Sequence, residues 1–186
     1  RTSDAFLVLP TASLGLEYRV MSYPSDGFLN QPASQSTVSA ISTPSEFAVT
    51  AVHDSTRIII FPTAETFRYR TKIDTVFLMQ GQSYLVQASI TRTNLRGDLT
   101  GSRVVADKPV AVFGGHQRAL LPVEFRGTTS SRNCIIEQIP PLSTWGKNAF
   151  LVIHEWLIWL RPGIGKLYCC SFDYHEWRGI GSFSHY

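Results

Sequence analysis

The sequence predicts an all-β domain of antiparallel strands in a sandwich-like packing of repeated hairpin units, with no long helix. Short runs rich in β-branched and aromatic residues recur between turn signals, and no long segment repeats its apolar residues with the helical period. The 186 residues are 44% hydrophobic and 17% charged, which is the composition of a folded chain. This length suffices for one domain with a sizeable core.

The apolar runs predict the strands in chain order. They lie at Phe6–Leu9, Tyr18–Tyr23, Phe47–Val52, Arg57–Phe61, Thr75–Leu78, Tyr84–Ala88, Arg103–Ala106, Val110–Phe113 and Cys134–Ile139. Some runs are apolar throughout and others alternate, which indicates two packed sheets. The expected core residues are Ile58, Ile60, Val110, Val112, Phe113, Ile136 and Ile139.

Turn-forming residues predict the joints between these strands. His53–Thr56 and Gln80–Ser83 each separate two apolar runs, and Asp107–Pro109 precedes another, so we interpret all three as hairpin joints. The segment 25–45 is rich in Ser, Thr, Gln and Pro. It predicts a long surface connection with at most one short strand, at Val38–Ile41.

The end of the chain has a different character. From Ile153 onward it holds three of the four Trp and two of the three Cys, without regular alternation. Ala5–Leu9 is echoed by Ala149–Ile153, so the end is either a divergent extension or the start of a second copy of one unit. We expect a β domain at residues 1–148 and an extension at 149–186 that adds little to the main core.

The distribution of charge argues against nucleic-acid binding, and the length of the apolar runs argues against a transmembrane helix. The net charge is +3, and the basic residues are scattered, without a run that could follow a phosphate backbone. The longest apolar stretch, Ala149–Leu160, is interrupted by His154 and Glu155 and is too short to cross a bilayer as a helix. We therefore expect no nucleic-acid partner and no transmembrane segment.

The histidines and cysteines do not form a recognisable reactive set. His53 lies beside Asp54 and Ser55, but adjacent residues in a tight turn point in different directions and cannot form a proton relay. His116, His175 and the three cysteines lack the spacing of a metal site. Glu137 could be a general acid, although a salt bridge to Arg118 or Arg132 is the simpler interpretation. We predict no catalytic residue, metal or cofactor; the alternative is a hydrolase with a site near His116 or His53.

The triplet Gly114-Gly115-His116 is a further candidate for a reactive site, because two glycines without side chains could leave the histidine accessible. We interpret the triplet as a structural joint where the strand Val110–Phe113 ends, with φ > 0 or a close backbone approach at the glycines. His116 is then expected to hydrogen-bond a backbone carbonyl or Glu137.

Several stretches resemble one protein family. "SDAFLVLP", "LGLEYRVMSY", "FAVTAVHDSTRIIIFP", "LMQGQSYLVQAS", "DLTGSRVVADKPVAVFGGH" and "IIEQIPPLSTWGK" together resemble the N-terminal domain of the IgG-Fc-binding protein family, in order from Ser3 to Lys147. The residues that carry the resemblance, which we interpret as structural, are Asp98, Gly101, Lys108, Pro109, Gly115, His116, Glu137, Gln138, Pro140, Pro141, Trp145 and Gly146.

The resemblance implies a non-enzymatic binding or adhesion module that is secreted or lies at the cell surface. Its ligand would be a protein or a glycan in mucus or on a surface, and immunoglobulin Fc is among the candidates. The resemblance also implies a disulfide between two positions that are Arg118 and Arg132 here, while Cys134 stands where the family has His. Without that disulfide we expect this domain either to be about 2–4 kcal/mol less stable than its relatives or to be compensated elsewhere.

Overall fold

A computed structural model describes residues 6–26, 42–68, 73–91, 95–119, 132–146, 148–150 and 182–184. In these ranges the chain forms strands and two short 3-10 turns, Thr11–Ser13 and Leu142–Thr144, and no α-helix. Every strand pairing is antiparallel. The predicted all-β class, without a long helix, is confirmed.

The strands divide between two compact units, residues 1–144 and 145–186. The first unit holds one seven-stranded sheet and the second a two-stranded pair, β8 with β9. The predicted division at residue 148 stays a prediction. The strands are β1 (Gly15–Arg19), β2 (Ser45–Ala51), β3 (Thr56–Phe61), β4 (Asp74–Leu78), β5 (Ser83–Gln87), β6 (Arg103–Ala119), β7 (Asn133–Gln138), β8 (Asn148–Phe150) and β9 (Ser182–Ser184).

The long strand β6 organises the sheet because it pairs with four others. Its first part pairs with β1 and β3, and its second part with β2 and β7. Val110 pairs with both Gly15 of β1 and Ala51 of β2, so these two strands lie on opposite edges of β6. It follows that β2 and β3 lie end to end along one edge, while β1 and β7 share the other.

The core is formed by side chains from both halves of this sheet. Ile58, Ile60 and Val104 come from the half around the start of β6, and Phe47 and Val112 come from the half around its end. They belong to one buried cluster, so the sheet folds over itself into a nearly closed barrel. The two predicted layers are therefore halves of a single sheet that share β6.

Most of the predicted core residues are buried, and two are not. Phe113 is half-buried and Ile136 is 37% exposed, so their assignment to the core was wrong. Both belong to apolar runs, but a paired strand turns alternate side chains away from the core. The five confirmed residues are Ile58, Ile60, Val110, Val112 and Ile139.

The turns at residues 52–55 and 79–82 are present, but they are not hairpin joints. β2 does not pair with β3, and β4 does not pair with β5. The first turn instead joins two strands that both pair with β6, and the second joins β4, which pairs with β3, to β5, which pairs with β2. The two turns contact each other, since Gly81 N donates to Ala51 O at 2.8 Å and Gln80 N donates to Asp54 Oδ1 at 3.0 Å. Turn chemistry predicts where a chain bends, and it does not specify which strands pair.

The joint predicted at Asp107–Pro109 is also absent, because β6 runs through it. On this edge β3 pairs with β6 up to Ala106, and β2 begins to pair at Val110. Pro109 stands between the two sets of pairings, where its missing N–H costs no hydrogen bond to either strand. A proline in a central strand is therefore tolerated here.

Other predicted boundaries changed as well. Phe6–Leu9 is not a strand, and β1 covers Gly15–Arg19 rather than continuing to Tyr23. The expected strand at Val38–Ile41 lies outside the described residues. The predicted surface connection 25–45 is wrong at both described ends, where Asp26 and Thr43 are buried.

Candidate functional site

The side chain of His116 lies inside the first unit. Alternation along β6 directs Val112, Gly114 and His116 towards the same face, and His116 is only 1% exposed. The strand continues past it to Ala119, so the triplet Gly114-Gly115-His116 does not end a strand as expected.

The two glycines are required by close backbone approach. A Cβ atom at Gly114 would lie 1.7 Å from the carbonyl oxygen of Met21, and one at Gly115 would lie 2.0 Å from that of Ile135. Among the described glycines a positive φ occurs at Gly81 and Gly101, not at this pair. Of the two roles that the sequence left open, close approach is therefore the one adopted.

Hydrogen bonding defines the state of the His116 ring. Its Nδ1 accepts the N–H of Arg118 at 3.1 Å, so in the neutral ring the proton lies on Nε2. Within the described part of the chain Nε2 has no hydrogen-bond partner. The Tyr23 ring lies edge-on to His116, with the ring centroids 5.8 Å apart. Glu137 is exposed, so the expected bond between it and His116 is not formed.

Burial lowers the pKa of His116 below its usual 6.5, because the apolar surroundings disfavour the charged ring. The carboxylate of Asp26 and the backbone of Thr43 act in the opposite direction, and Arg132 acts in the same direction as burial. His116 is therefore a buried neutral base beside an ion pair.

That ion pair joins residues far apart in the sequence. Arg132 Nη1 contacts Asp26 Oδ2, and both side chains are largely buried. Asp26 Oδ1 also accepts the N–H of Thr43 at 2.5 Å, while Asp26 N donates to Thr43 O at 3.1 Å. Thr43 Oγ1 is buried and has no hydrogen-bond partner among the described residues. We call Asp26, Thr43, His116 and Arg132 the polar cluster.

Three serine hydroxyls lie around the polar cluster, and their bonds go to the backbone and to one another. Ser22 Oγ contacts Glu46 O and Gly115 O, both at 2.9 Å, and Ser45 Oγ at 2.8 Å. Ser25 Oγ donates to Gly97 O at 2.7 Å. Ser22 and Ser25 donate to carbonyl groups, and Ser45 Oγ accepts the N–H of Leu99 at 3.0 Å. These hydroxyls therefore act as cross-links between strands and loops, not as nucleophiles activated by His116.

Most of the other predicted motif residues are dispersed over the first unit, where they stabilise turns and edges. Asp98 Oδ1 caps the N–H of Thr100 at 2.9 Å, and Gly101 has a φ of 86° that favours glycine. Lys108 Nζ donates to Asp54 O at 2.5 Å. Gln138 is buried and its Oε1 accepts the N–H of Leu9 at 2.7 Å.

The remaining residues of the motif do not come together at one site. Pro141 packs closely on Gly15, where a Cβ atom would lie 2.5 Å from the proline ring, and Pro140 is exposed. Trp145 and Gly146 belong to the second unit, and Trp145 is 39% exposed. The structure thus brings Gly115 and His116 to the polar cluster and leaves the other motif residues elsewhere.

His53, the other candidate histidine, is exposed in the turn after β2. Its neighbour Asp54 already accepts the N–H of Gln80, and Thr56 Oγ1 donates to His53 O at 2.7 Å. These bonds stabilise the turn and do not direct a carboxylate or hydroxyl at the imidazole ring.

Asp26, Thr43 and Arg132 were missed as partners of His116 in the sequence. They lie far from one another and from His116 along the chain, and none forms a motif by spacing. The one available signal was Arg132, which stands at a position where the resemblance implied a cysteine. The described residues contain no group of His, Cys, Asp and Glu side chains that could hold a metal ion. No helix in the described ranges could span a membrane.

A family model described as IgGFc binding protein matches residues 4–161, which include the seven-stranded sheet and the polar cluster. No curated protein and no solved structure matches the chain significantly.

Proposed function

Because the chain belongs to the IgGFc binding protein family, we propose that it is an extracellular, non-enzymatic module for binding or adhesion. Its proposed ligand is a protein or glycan of mucus or of a cell surface, with immunoglobulin Fc as the first candidate. The family match over residues 4–161 is the observation that carries this proposal.

The arrangement around His116 supports a binding role over a hydrolytic one. A hydrolase needs a histidine that reaches both a nucleophile and a substrate. His116 is almost fully buried, its Nδ1 is occupied by a backbone N–H, and the neighbouring serine hydroxyls bond to carbonyls. We propose that the polar cluster holds the fold together and that ligands contact exposed side chains.

The direct test is a binding measurement with the full chain immobilised. Fc fragments, Fab fragments of the same antibody, and mucin glycans are passed over it in turn. Binding of Fc without binding of Fab supports an Fc module, and binding of mucin glycans alone supports a mucus module. Failure of both Fc and mucin glycans to bind would contradict the proposal.

A pair of variants separates the binding role from the hydrolytic alternative. His116→Ala should lower stability while sparing ligand binding measured well below the melting temperature, because the buried ring cannot touch a macromolecule. Leu85→Lys and Leu16→Lys change exposed side chains on β5 and β1, so loss of binding in one of them locates the contact surface. Turnover of ester, glycoside or peptide substrates that His116→Ala abolishes would establish the hydrolase instead.

A further inference from the structure

The ring of His116 makes a hydrogen bond that only the neutral ring can form. Its Nδ1 accepts the N–H of Arg118, two residues further along β6, at 3.1 Å. A protonated imidazole carries a hydrogen on both nitrogens, so Nδ1 can no longer accept this N–H and two donors would face each other. Protonation therefore breaks the bond and requires either the ring or the backbone at Arg118 to move.

The charges beside the ring also oppose its protonation. Asp26 and Arg132 are the charged groups that act on His116, and they already form an ion pair with each other. Both oxygens of the Asp26 carboxylate have donors, because Oδ1 accepts the N–H of Thr43 and Oδ2 contacts Arg132. A charged His116 would be a second buried cation beside a single carboxylate.

The other ionisable side chains on the elements around His116 do not compensate this charge. Tyr23 directs its ring edge-on to the imidazole. The carboxylate of Glu46, on β2, accepts a side-chain amide of β5 at 2.8 Å. Glu137 on β7 and Arg118 on β6 are exposed. Among the residues that the structure describes, none of these supplies a carboxylate to a charged ring.

The pairing of β6 with β7 is irregular at the same place. Its register shifts between His116 and Ala119, so the strands are not continuously paired there. Within β7 only Gln138 is buried, and just after it Ile139 N donates to Val112 O at 2.8 Å. The end of β7 is thus anchored in the core, while its start has few buried contacts. Such regions open at a lower free energy than the core does.

We propose that His116 is a proton-controlled latch: the neutral ring holds the start of β7 against β6, and protonation in mildly acidic solution releases residues 132–136 while the rest of the sheet stays folded. The link from the ring to β7 is short. The N–H that His116 accepts precedes Ala119, and Ala119 pairs with Asn133, next to Arg132 of the ion pair. The latch does not depend on which ligand the domain binds.

The direction of the pH effect follows from the burial of the ring. Burial lowers the pKa of His116 in the closed state, whereas release of β7 gives the ring access to water and returns the pKa towards its usual 6.5. The closed state is therefore fully favoured above about pH 6.5. As the pH falls below this value, the released state takes up a proton that the closed state does not.

Hydrogen exchange of the full chain, resolved by mass spectrometry of peptides, tests the latch. Protection is compared at pH 7 and pH 5 after correction for the intrinsic effect of pH on exchange. Opening at residues 117–119 and 133–136 should become more frequent at pH 5, by up to about 25-fold for a pKa of 6.5 in the released state. Unchanged protection of these residues would overturn the proposal.

Two variants assign the effect to the ring. His116→Gln keeps one acceptor and one donor without titrating, so its protection at these residues should change little between pH 7 and pH 5. Glu137→Gln is the matched control, because it removes an exposed carboxylate from β7 and should respond to pH as the wild type does. A wild-type response in His116→Gln, or its loss in Glu137→Gln, would contradict the latch. If His116→Gln does not fold, the wild-type and Glu137→Gln profiles still decide the question.

Low concentrations of urea distinguish release of this segment from unfolding of the whole domain. Local opening exposes little surface, so exchange at residues 133–136 at pH 5 should be independent of urea. Exchange of the buried residues of β3, Ile58 and Ile60, should accelerate with urea because it requires extensive unfolding. Equal acceleration in the two regions would show that acid unfolds the domain as a whole, and would overturn the proposal.

Discussion

Single residues in the polar cluster and beside it have roles that follow from the distances around them. From the sequence, Gly114-Gly115-His116 could form a strained turn, a reactive loop or a strand that another backbone approaches closely. The neighbouring carbonyl oxygens of Met21 and Ile135 decide among these, because they occupy the space of a Cβ atom. The sequence predicted the need for glycine, and it could not predict which backbone comes close.

Gly115→Ala should therefore destabilise the domain. The added Cβ atom would lie 2.0 Å from Ile135 O, so β7 has to move away from β6. We expect the free energy of unfolding in urea to fall by about 2 kcal/mol or more.

Gly81→Ala is the control for this change, because Gly81 has open space around it and a φ of 79°. It should cost about 1 kcal/mol through backbone conformation alone. An equal loss in the two variants would show that close approach is not what Gly115 provides.

The ion pair between Asp26 and Arg132 leads to a second prediction about single residues. Arg132→Met removes one partner and leaves a buried carboxylate, so we expect a loss of about 3 kcal/mol in the free energy of unfolding. Arg103→Met breaks a pair with Glu17 in which both side chains are well exposed, and it should cost less than about 1 kcal/mol. Similar losses in the two variants would contradict the burial of the Asp26 pair.

His116 should make stability depend on pH in the acidic range. Its pKa is lowered by burial from 6.5, so below about pH 6.5 the unfolded chain binds a proton that the folded chain does not. The stability that the neutral ring provides is thus complete above this pH, declines as the pH falls, and stops declining once the folded ring protonates.

Urea unfolding at pH values from 8 to 5 measures this effect. His116→Gln lacks the titrating ring and should show a shallower decline than the wild type over that range. Parallel pH profiles in the two proteins would assign the acid sensitivity to other groups.

At the scale of elements, strand positions were predictable and their partners were not. β2 to β5 lie within a residue or two of the runs expected from β-branched and aromatic residues, because a paired strand needs such side chains on its buried face. The end-to-end arrangement of β2 with β3 depends on β6, which lies far along the chain. No local signal distinguishes a turn that closes a hairpin from one that joins two strands along a common neighbour.

Val112→Ala tests the central place of β6. Val112 is fully buried in the cluster that both halves of the sheet share, so we expect a loss of about 1–3 kcal/mol in the free energy of unfolding. Val105→Ala, on the outward side of the same strand, should cost less because its side chain is partly exposed. A larger effect at residue 105 would place the core on the other face of β6.

At the scale of the whole molecule, fold class and family were readable from the sequence, while the polar cluster was not. Alternation and composition indicate how much surface each strand buries, and both are properties of residues that lie close together in the sequence. The contact of Asp26 with Arg132 instead joins residues that are separated in the chain by strands β2 to β6. Sites assembled from distant residues are not visible to spacing rules.

The proposed division at residue 148 can be tested by limited proteolysis of the full chain. We expect a protease of broad specificity to cut close to Lys147 sooner than between Val104 and Phe113, because β6 has a partner on both edges. Equal protection of the two regions would make residues 149–186 an integral part of the domain.

The position of β6 in the chain also has a consequence for synthesis. β1, β2 and β3 all leave the ribosome before their common partner, since β3 ends at Phe61 and β6 begins at Arg103. Their apolar faces and unpaired edges stay uncovered until β6 has been synthesised, and β7 is synthesised later still. Pairings over such separations form slowly and leave strand edges open to other chains in the interval. This domain therefore depends on protection during translation more than one built from local hairpins would.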